Sequence, residues 1–322
     1  MNYLLYLCIY ISMKFSQISI SLFIILMIYI QIPTLALGSP DIEVISFETA
    51  PSAIPGEEQY IEYAVVNNGD YTSGPLQLTY YLSSNDTLSP RDIIVAQYTI
   101  RSLKPGEVRT TYTTEPIPTK VPLALYYPTL EIVPTQRALS DINLEDNIFI
   151  APQTEITNSR NLPREWVNKK VSQILFLKTN EERERRNRAP LVYNDMLEAI
   201  SQGHTDDMAE RDYFDHLTPE GKNPHDRAVE YGYPYERVRK DGTKVYGIGE
   251  NIARFETGRG VDVEGFGYIN PNDPIQLANV ALTLFLNSAS HKETLLSQLY
   301  QEIGISATLA RDGQYYIGQN LG

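Results

Sequence analysis

A chain of 322 residues with 42% hydrophobic and 21% charged side chains is long enough for two folded domains, and its composition excludes wholesale disorder or a polytopic membrane protein. The formal net charge of −13 makes nucleic acid and anionic membrane surfaces poor partners.

The first forty residues carry one charged side chain, Lys14, and an apolar run, Ile18 to Ile32, that ends at Pro33 and the small-residue stretch Ala36-Leu37-Gly38-Ser39. Residues 1–38 therefore read as an export signal, with Met13 beside Lys14 the favoured start. The alternative is an uncleaved anchor, the one route to a membrane, because Ile20 to Leu35 approaches the length that spans a bilayer. The single cysteine, Cys8, falls inside this segment, so a cleaved chain has no disulfide and is stabilised by packing alone. The expected location is outside the cell or on its surface.

From residue 41 to 152 short alternating segments are broken by turn residues, which predicts an all-β antiparallel sandwich. Tyr60, Glu62 and Ala64 alternate with Ile61, Tyr63 and Val65 in the two-residue period of a strand, and Asn68-Gly69 supplies a tight turn. The pieces Ala64-Val65-Val66-Asn67-Asn68-Gly69, Tyr80-Tyr81-Leu82-Ser83, Leu103-Lys104-Pro105-Gly106 and Leu144-Glu145-Asp146-Asn147 resemble the CARDB family, an Ig-like adhesion-type domain of exported proteins. The resemblance departs from the family at Thr129 to Thr135, where an aspartate-rich strand is usual. Asp86, Asp92, Asp141 and Asp146 are read as structural, and Asn85-Asp86-Thr87 has the form of a glycosylation acceptor.

Residues 153–163 are polar and aperiodic and read as a linker to a second domain at 164–322. There, Glu165 to Arg186 carries Trp166, Val167, Val171, Ile174 and Leu175 at helical spacing. The mixed charges of Glu181 to Arg188 are expected on a solvated helix face. A second helix from Asn194 places Leu197, Ile200, His204 and Met208 on one stripe, which makes His204 a core histidine. Helices capped by Asn223-Pro224 and Asp273-Pro274 follow, the first ending at Gly232 and the second near Asn287. Strands are predicted at Gly247 to Phe255, Ile303 to Leu309 and Tyr315 to Asn320. Helices with antiparallel strands indicate α+β. His225 is expected to be solvated, and Tyr213-Phe214 to pack in the core.

Six spaced pieces of this second domain resemble the CAP superfamily in its short SCP-like prokaryotic branch. They are Asn180-Glu181-Glu182-Arg183, Ala189-Pro190-Leu191-Val192-Tyr193, Asp207 through His216, Gly249-Glu250-Asn251-Ile252-Ala253, Asn287-Ser288-Ala289-Ser290-His291 and Glu302-Ile303-Gly304-Ile305. The resemblance implies an α-β-α sandwich with a cleft of two histidines and two acids that can hold a divalent metal. By position, His216, Glu250 and His291 are three of the four, and Asn287 or Ser288 stands where the second acid is expected. Two imidazoles and a carboxylate suit zinc, with magnesium the other candidate, and His216 and His291 are the expected metal ligands. Ser290-His291-Lys292-Glu293 has the capping-box form, which puts His291 in the first turn of a helix where the macrodipole favours its neutral state.

Three functions follow. The first is a non-catalytic exported binding or adhesion module that takes a lipid, another small apolar ligand or a cell-surface component. The second is a metal-assisted hydrolase of extracellular peptide or cell-wall substrates with Glu250 as base. The third is a purely structural surface protein. No Gly-x-Ser-x-Gly or His-Glu-x-x-His motif is present, which removes two common hydrolytic routes.

Overall fold

The computed structural model describes residues 39–135, 141, 143–159, 162–258 and 265–322. The segment 1–38, with its predicted signal or anchor and Cys8, lies outside the described residues. Among the described residues no helix is long and apolar enough to cross a membrane. The chain divides into two compact units, Met1–Asn158 and Ser159–Gly322.

The first unit holds β1 (Ile42–Thr49), β2 (Ser52–Ala53), β3 (Glu58–Asn67), β4 (Leu76–Ser83), β5 (Ile93–Ile100), β6 (Val108–Pro116), β7 (Ala124–Pro134), β8 (Ile148–Ile150) and β9 (Thr154–Ile156). They form two sheets, one in the order β1-β3-β6 and one in the order β2-β9-β7-β4-β5, with β8 added on β7. The alternation in β3 sorts its side chains between two faces. Ile61, Tyr63 and Val65 enter the main core with Leu78, Tyr80 and Leu130, while Ala64 and Val66 join Ile45 in a smaller cluster.

Two expectations change here. Asn68-Gly69 turns the chain, but β3 and β4 belong to different sheets, so the turn begins a crossing rather than a hairpin. Asn67 organises that crossing: its Oδ1 accepts from Asp41 N and Gly69 N, and its Nδ2 donates to the carbonyls of Tyr71 and Leu103. The predicted linker at 153–163 contains β9, which pairs with β2 and β7 and so belongs to the sandwich. Thr154-Glu155-Ile156 is too short for a periodic apolar pattern, and pairing with its neighbours holds it as a strand.

The second unit holds α1 (Arg164–Arg185), β10 (Val192–Tyr193), α2 (Asp195–Arg211), α3 (Pro224–Glu230), β11 (Glu236–Val238), β12 (Lys244–Tyr246), β13 (Gly249–Glu256), α4 (Pro274–Asn287), α5 (Ala289–Leu296), β14 (Glu302–Leu309) and β15 (Gln314–Leu321). The main sheet has the order β10-β14-β15-β13 and β11 pairs with β12 apart from it. Residues of β15 show the three layers: Tyr316 packs with Met208 of α2, whereas Tyr315 and Gln319 hydrogen-bond to Asn168 and Thr179 of α1. The expected α-β-α sandwich is present, and α2 sits very close to the sheet. At Gly304 an added Cβ would lie 1.9 Å from Glu198 N, so only glycine permits that approach.

The capped helix starts fall where predicted. Asn194 accepts from Met196 N and Leu197 N, Asn223 closes a capping box with Asp226, and Asp273 accepts from Ile275 N and Gln276 N. The charge run 181–188 is not a solvated face throughout. Arg183 is 1% exposed, and its guanidinium donates to the carbonyls of Ala189, Leu295 and Ser297. Glu182 is also buried, paired with Arg185 and Arg186. Unsatisfied carbonyls where α5 ends draw Arg183 inward, a demand that sequence charge alone does not reveal.

Candidate functional site

α2 ends at Asp212, whose left-handed conformation (φ 52°) reverses the chain into the loop that carries His216. Glu250 is the second residue of β13, opposite Asn320 of β15. Arg227 lies on α3 and His291 in the first turn of α5. The fold thus brings four separate segments together.

Glu250 is the hub, its side chain only 3% exposed. Its Oε1 accepts from His216 Nδ1 at 2.8 Å, and its Oε2 accepts from Arg227 Nη2 at 2.6 Å. The Asn320 amide, oriented to satisfy its neighbours, adds a donor to Oε2 at 3.2 Å and accepts from Ser201 N. His204 Nε2 lies 4.0 Å from Oε1 and donates to the carbonyl of Asp215 at 3.0 Å. Arg227 also donates to the carbonyls of His216 and Lys222, so one guanidinium fixes both the carboxylate and the loop that presents the imidazole.

The charges follow from this packing. Burial pushes the Glu250 carboxyl up, but the His216 hydrogen bond and the Arg227 charge outweigh it, and the net effect holds it below the usual range. The bond to Glu250 raises the His216 imidazole above its ordinary value, against partial burial. Burial lowers His291, and the neighbouring His216 lowers it further. His204 is lowered by burial first, with Glu250 opposing. His216 therefore keeps its proton on Nδ1 and turns Nε2 outward, with its side chain 47% exposed. The ring of His291 stands 6.5 Å from it, centroid to centroid, at 60°. Phe285 backs His291 edge-on at 5.5 Å, and Asn251 Nδ2 donates to the His291 carbonyl.

Of the residues expected at the site, His216, Glu250 and His291 converge. Asn287 closes α4, and Ser288 caps α5 by backbone position, its Oγ 3.2 Å from Ser290 Oγ. Arg227, which the sequence does not single out, also faces Glu250. A capped helix with Pro224 at its start is legible there, but nothing in the sequence aims its fourth residue at Glu250. The capping box expected at Ser290 does not form: α5 begins at Ala289 and has no side-chain cap, so His291 is neutralised by burial and by His216 rather than by that motif. His204 is a core histidine as expected, but one that touches the site. His225 is not merely solvated: its Nδ1 accepts from Ile248 N at 3.0 Å and so holds the approach to β13. Phe214 is exposed rather than in the core, its ring 5.2 Å from the Arg254 guanidinium.

The donor set bears on a metal. Among the described residues no group of three or more His, Cys, Asp or Glu could hold an ion. Glu250 has both oxygens engaged and Arg227 against it, so it orients His216 from behind instead of offering a ligand. Two imidazoles remain, donors that fit zinc but not magnesium, which demands oxygen.

Residues 176–321 match the model of the cysteine-rich secretory protein family, CAP, and residues 39–147 match that of CARDB. The chain is a CARDB domain followed by a CAP domain. The chain is similar to the uncharacterized protein YkwD of Bacillus subtilis, at 24% identity over 172 residues, 53% of this chain and 54% of that protein. The chain thus spans about half the length of the curated relative it matches. Among solved structures, an outer surface protein from Borrelia burgdorferi aligns at 21% identity and TM-score 0.36, covering 48% of this chain and 92% of that one. An extracellular SCP-domain protein from Bacillus anthracis aligns at 15% identity and TM-score 0.39, covering 84% and 87%.

Proposed function

We propose that this CARDB–CAP chain is an exported binding protein whose CAP cleft recognises a ligand through His216 and His291 and performs no hydrolysis with Glu250. The observation that carries the reading is the full engagement of the Glu250 carboxylate. A general base must reach the proton it takes. Glu250 is buried, with one oxygen on His216 and the other on Arg227, so it serves to orient and charge His216. The outward groups are one imidazole raised in basicity and one lowered, a donor and an acceptor facing each other. They suit the polar end of a small lipid-like ligand or of a cell-surface component. The apolar segment before residue 39 supports export.

A zinc-loaded form of the same cleft is the second reading, favoured by the carboxylate behind His216, which raises ligand basicity. Zinc would polarise a bound ligand group. His216 and His291 would hold it. Native mass spectrometry of protein from the exported fraction tests both readings, wild type against the His216→Ala/His291→Ala double variant. A small molecule or zinc bound to wild type and lost from the variant is expected. Hydrolysis of peptide or cell-wall substrates abolished by Glu250→Gln would overturn the non-catalytic reading.

A further inference from the structure

In the first unit, the start of β1 meets the segment that leads into β8. Ile42 N donates to both oxygens of Asp141, Val44 N donates to the Asp146 carbonyl, and Asn147 Nδ2 donates to Asp141 Oδ2 at 3.1 Å. Three buried oxygens at this junction have no hydrogen-bond partner among the described residues: Asp41 Oδ1, Asp146 Oδ1 and Asn147 Oδ1. Asp141 is satisfied on both oxygens, whereas Asp146 uses only Oδ2, which accepts from Asn143 Nδ2. Asn147 is 2% exposed, its amide set against Asp141 and its carbonyl oxygen unmatched. Buried acceptors are rarely left so, because each has lost its water without gaining a donor. Positive charge is missing as well. Among the described residues no lysine or arginine pairs with Asp41, Asp141 or Asp146. Burial pushes the Asp146 carboxyl up to about 6, and the charges of Asp41, Glu43 and Asp141 act in the same direction.

We propose that Asp41, Asp146 and Asn147 form a calcium site that ties the start of β1 to the segment before β8. The donor chemistry selects the ion. All three groups offer oxygen, two as carboxylates and one as an amide carbonyl, a set that suits a hard cation and not the nitrogen and sulfur preference of zinc. Calcium accepts an irregular shell and fills it with water, whereas magnesium demands a near-ideal octahedron. Asp141 is no ligand, since the backbone and Asn147 occupy it, and among the described residues no three acids converge on one ion. Two charges and one amide therefore set a weak site, with a dissociation constant of about 10⁻⁴–10⁻³ M. The ion supplies the partner that the three oxygens lack and removes the repulsion between Asp41 and Asp146.

The test uses the full chain at neutral pH, treated with a chelator that is then dialysed away. Calorimetry should show the sandwich transition rising by roughly 4–8 °C from calcium-free buffer to about 10 mM calcium, and by less in the same concentration of magnesium. The Trp166 fluorescence transition of the second unit should not move. Two variants separate an ion site from a structural cluster. Asp41→Asn/Asp146→Asn removes the repulsion, so without calcium it should be at least as stable as wild type, with calcium binding by isothermal titration at least about tenfold weaker. Asn147→Asp adds a third acid, so it should weaken the calcium-free sandwich and enlarge the calcium shift. A wild-type sandwich midpoint that calcium leaves in place would overturn the proposal, as would a double variant that responds to calcium like wild type.

Discussion

Replacing Arg227 by Met tests the logic of the site most directly. The residue is 6% exposed and neutralises a carboxylate that is itself buried. Methionine keeps much of the volume but leaves Glu250 as a buried charge with no guanidinium beside it, only His216, Asn320 and, at 4.0 Å, His204, and frees the carbonyls of His216 and Lys222. Breaking one partner of a buried pair costs about 3–5 kcal/mol. In a domain of this size that lowers the melting temperature by roughly 6–20 °C. The only tryptophan, Trp166, lies in α1 of the same unit, so its fluorescence follows this domain and not the sandwich. The sign of the pH dependence reverses. In the wild type the folded Glu250 pKa is depressed, so its stabilisation is present above the unfolded value and lost as pH falls through the folded one. In the variant, burial dominates and the folded pKa rises above the unfolded value. The penalty is then largest at neutral and alkaline pH and shrinks on acidification. Adding Glu250→Gln should recover part of the loss at pH 7. A variant within about 1 kcal/mol of wild type at pH 7, or a deficit that grows toward acid, would refute the argument, since either outcome is incompatible with an unpaired buried carboxylate.

Three further outcomes are expected. In chelator-treated protein, NMR titration should find His216 protonating above the ordinary histidine range and His291 below it, and Glu250→Gln should bring His216 back down; the opposite order would contradict the geometry. Because the folded His216 value is raised, its stabilisation is present below the unfolded pKa and lost as pH rises through the folded one. Gly247→Ala forces a side chain into φ +66° with its Cβ 2.2 Å from His225 Nδ1, so about 1–3 kcal/mol of strain should loosen the turn before Glu250, read as lower Trp166 unfolding midpoints. Asn67→Ala removes the four hydrogen bonds of the β3–β4 crossing and should cost on the order of 2–3 kcal/mol in the sandwich transition by calorimetry, leaving the Trp166 transition in place.

Resemblance to the CAP family supplied the histidine–glutamate–histidine trio, while local signals in the sequence were enough for the two-domain division, the period of β3 and the helix starts at Asn194, Asn223 and Asp273. Each rests on residues within a few positions of one another, or on motifs whose order along the chain is itself the signal. Only the tertiary structure decided what surrounds the trio. Arg227 stands 23 residues before Glu250, and its guanidinium holds that carboxylate in a buried ion pair. His225, Arg183 and His204 likewise took their roles from backbone groups that folding brought beside them. β9 is a fact of strand pairing between segments far apart in the chain. A buried polar group takes whichever partner the fold supplies, and sequence proximity records nothing of that choice.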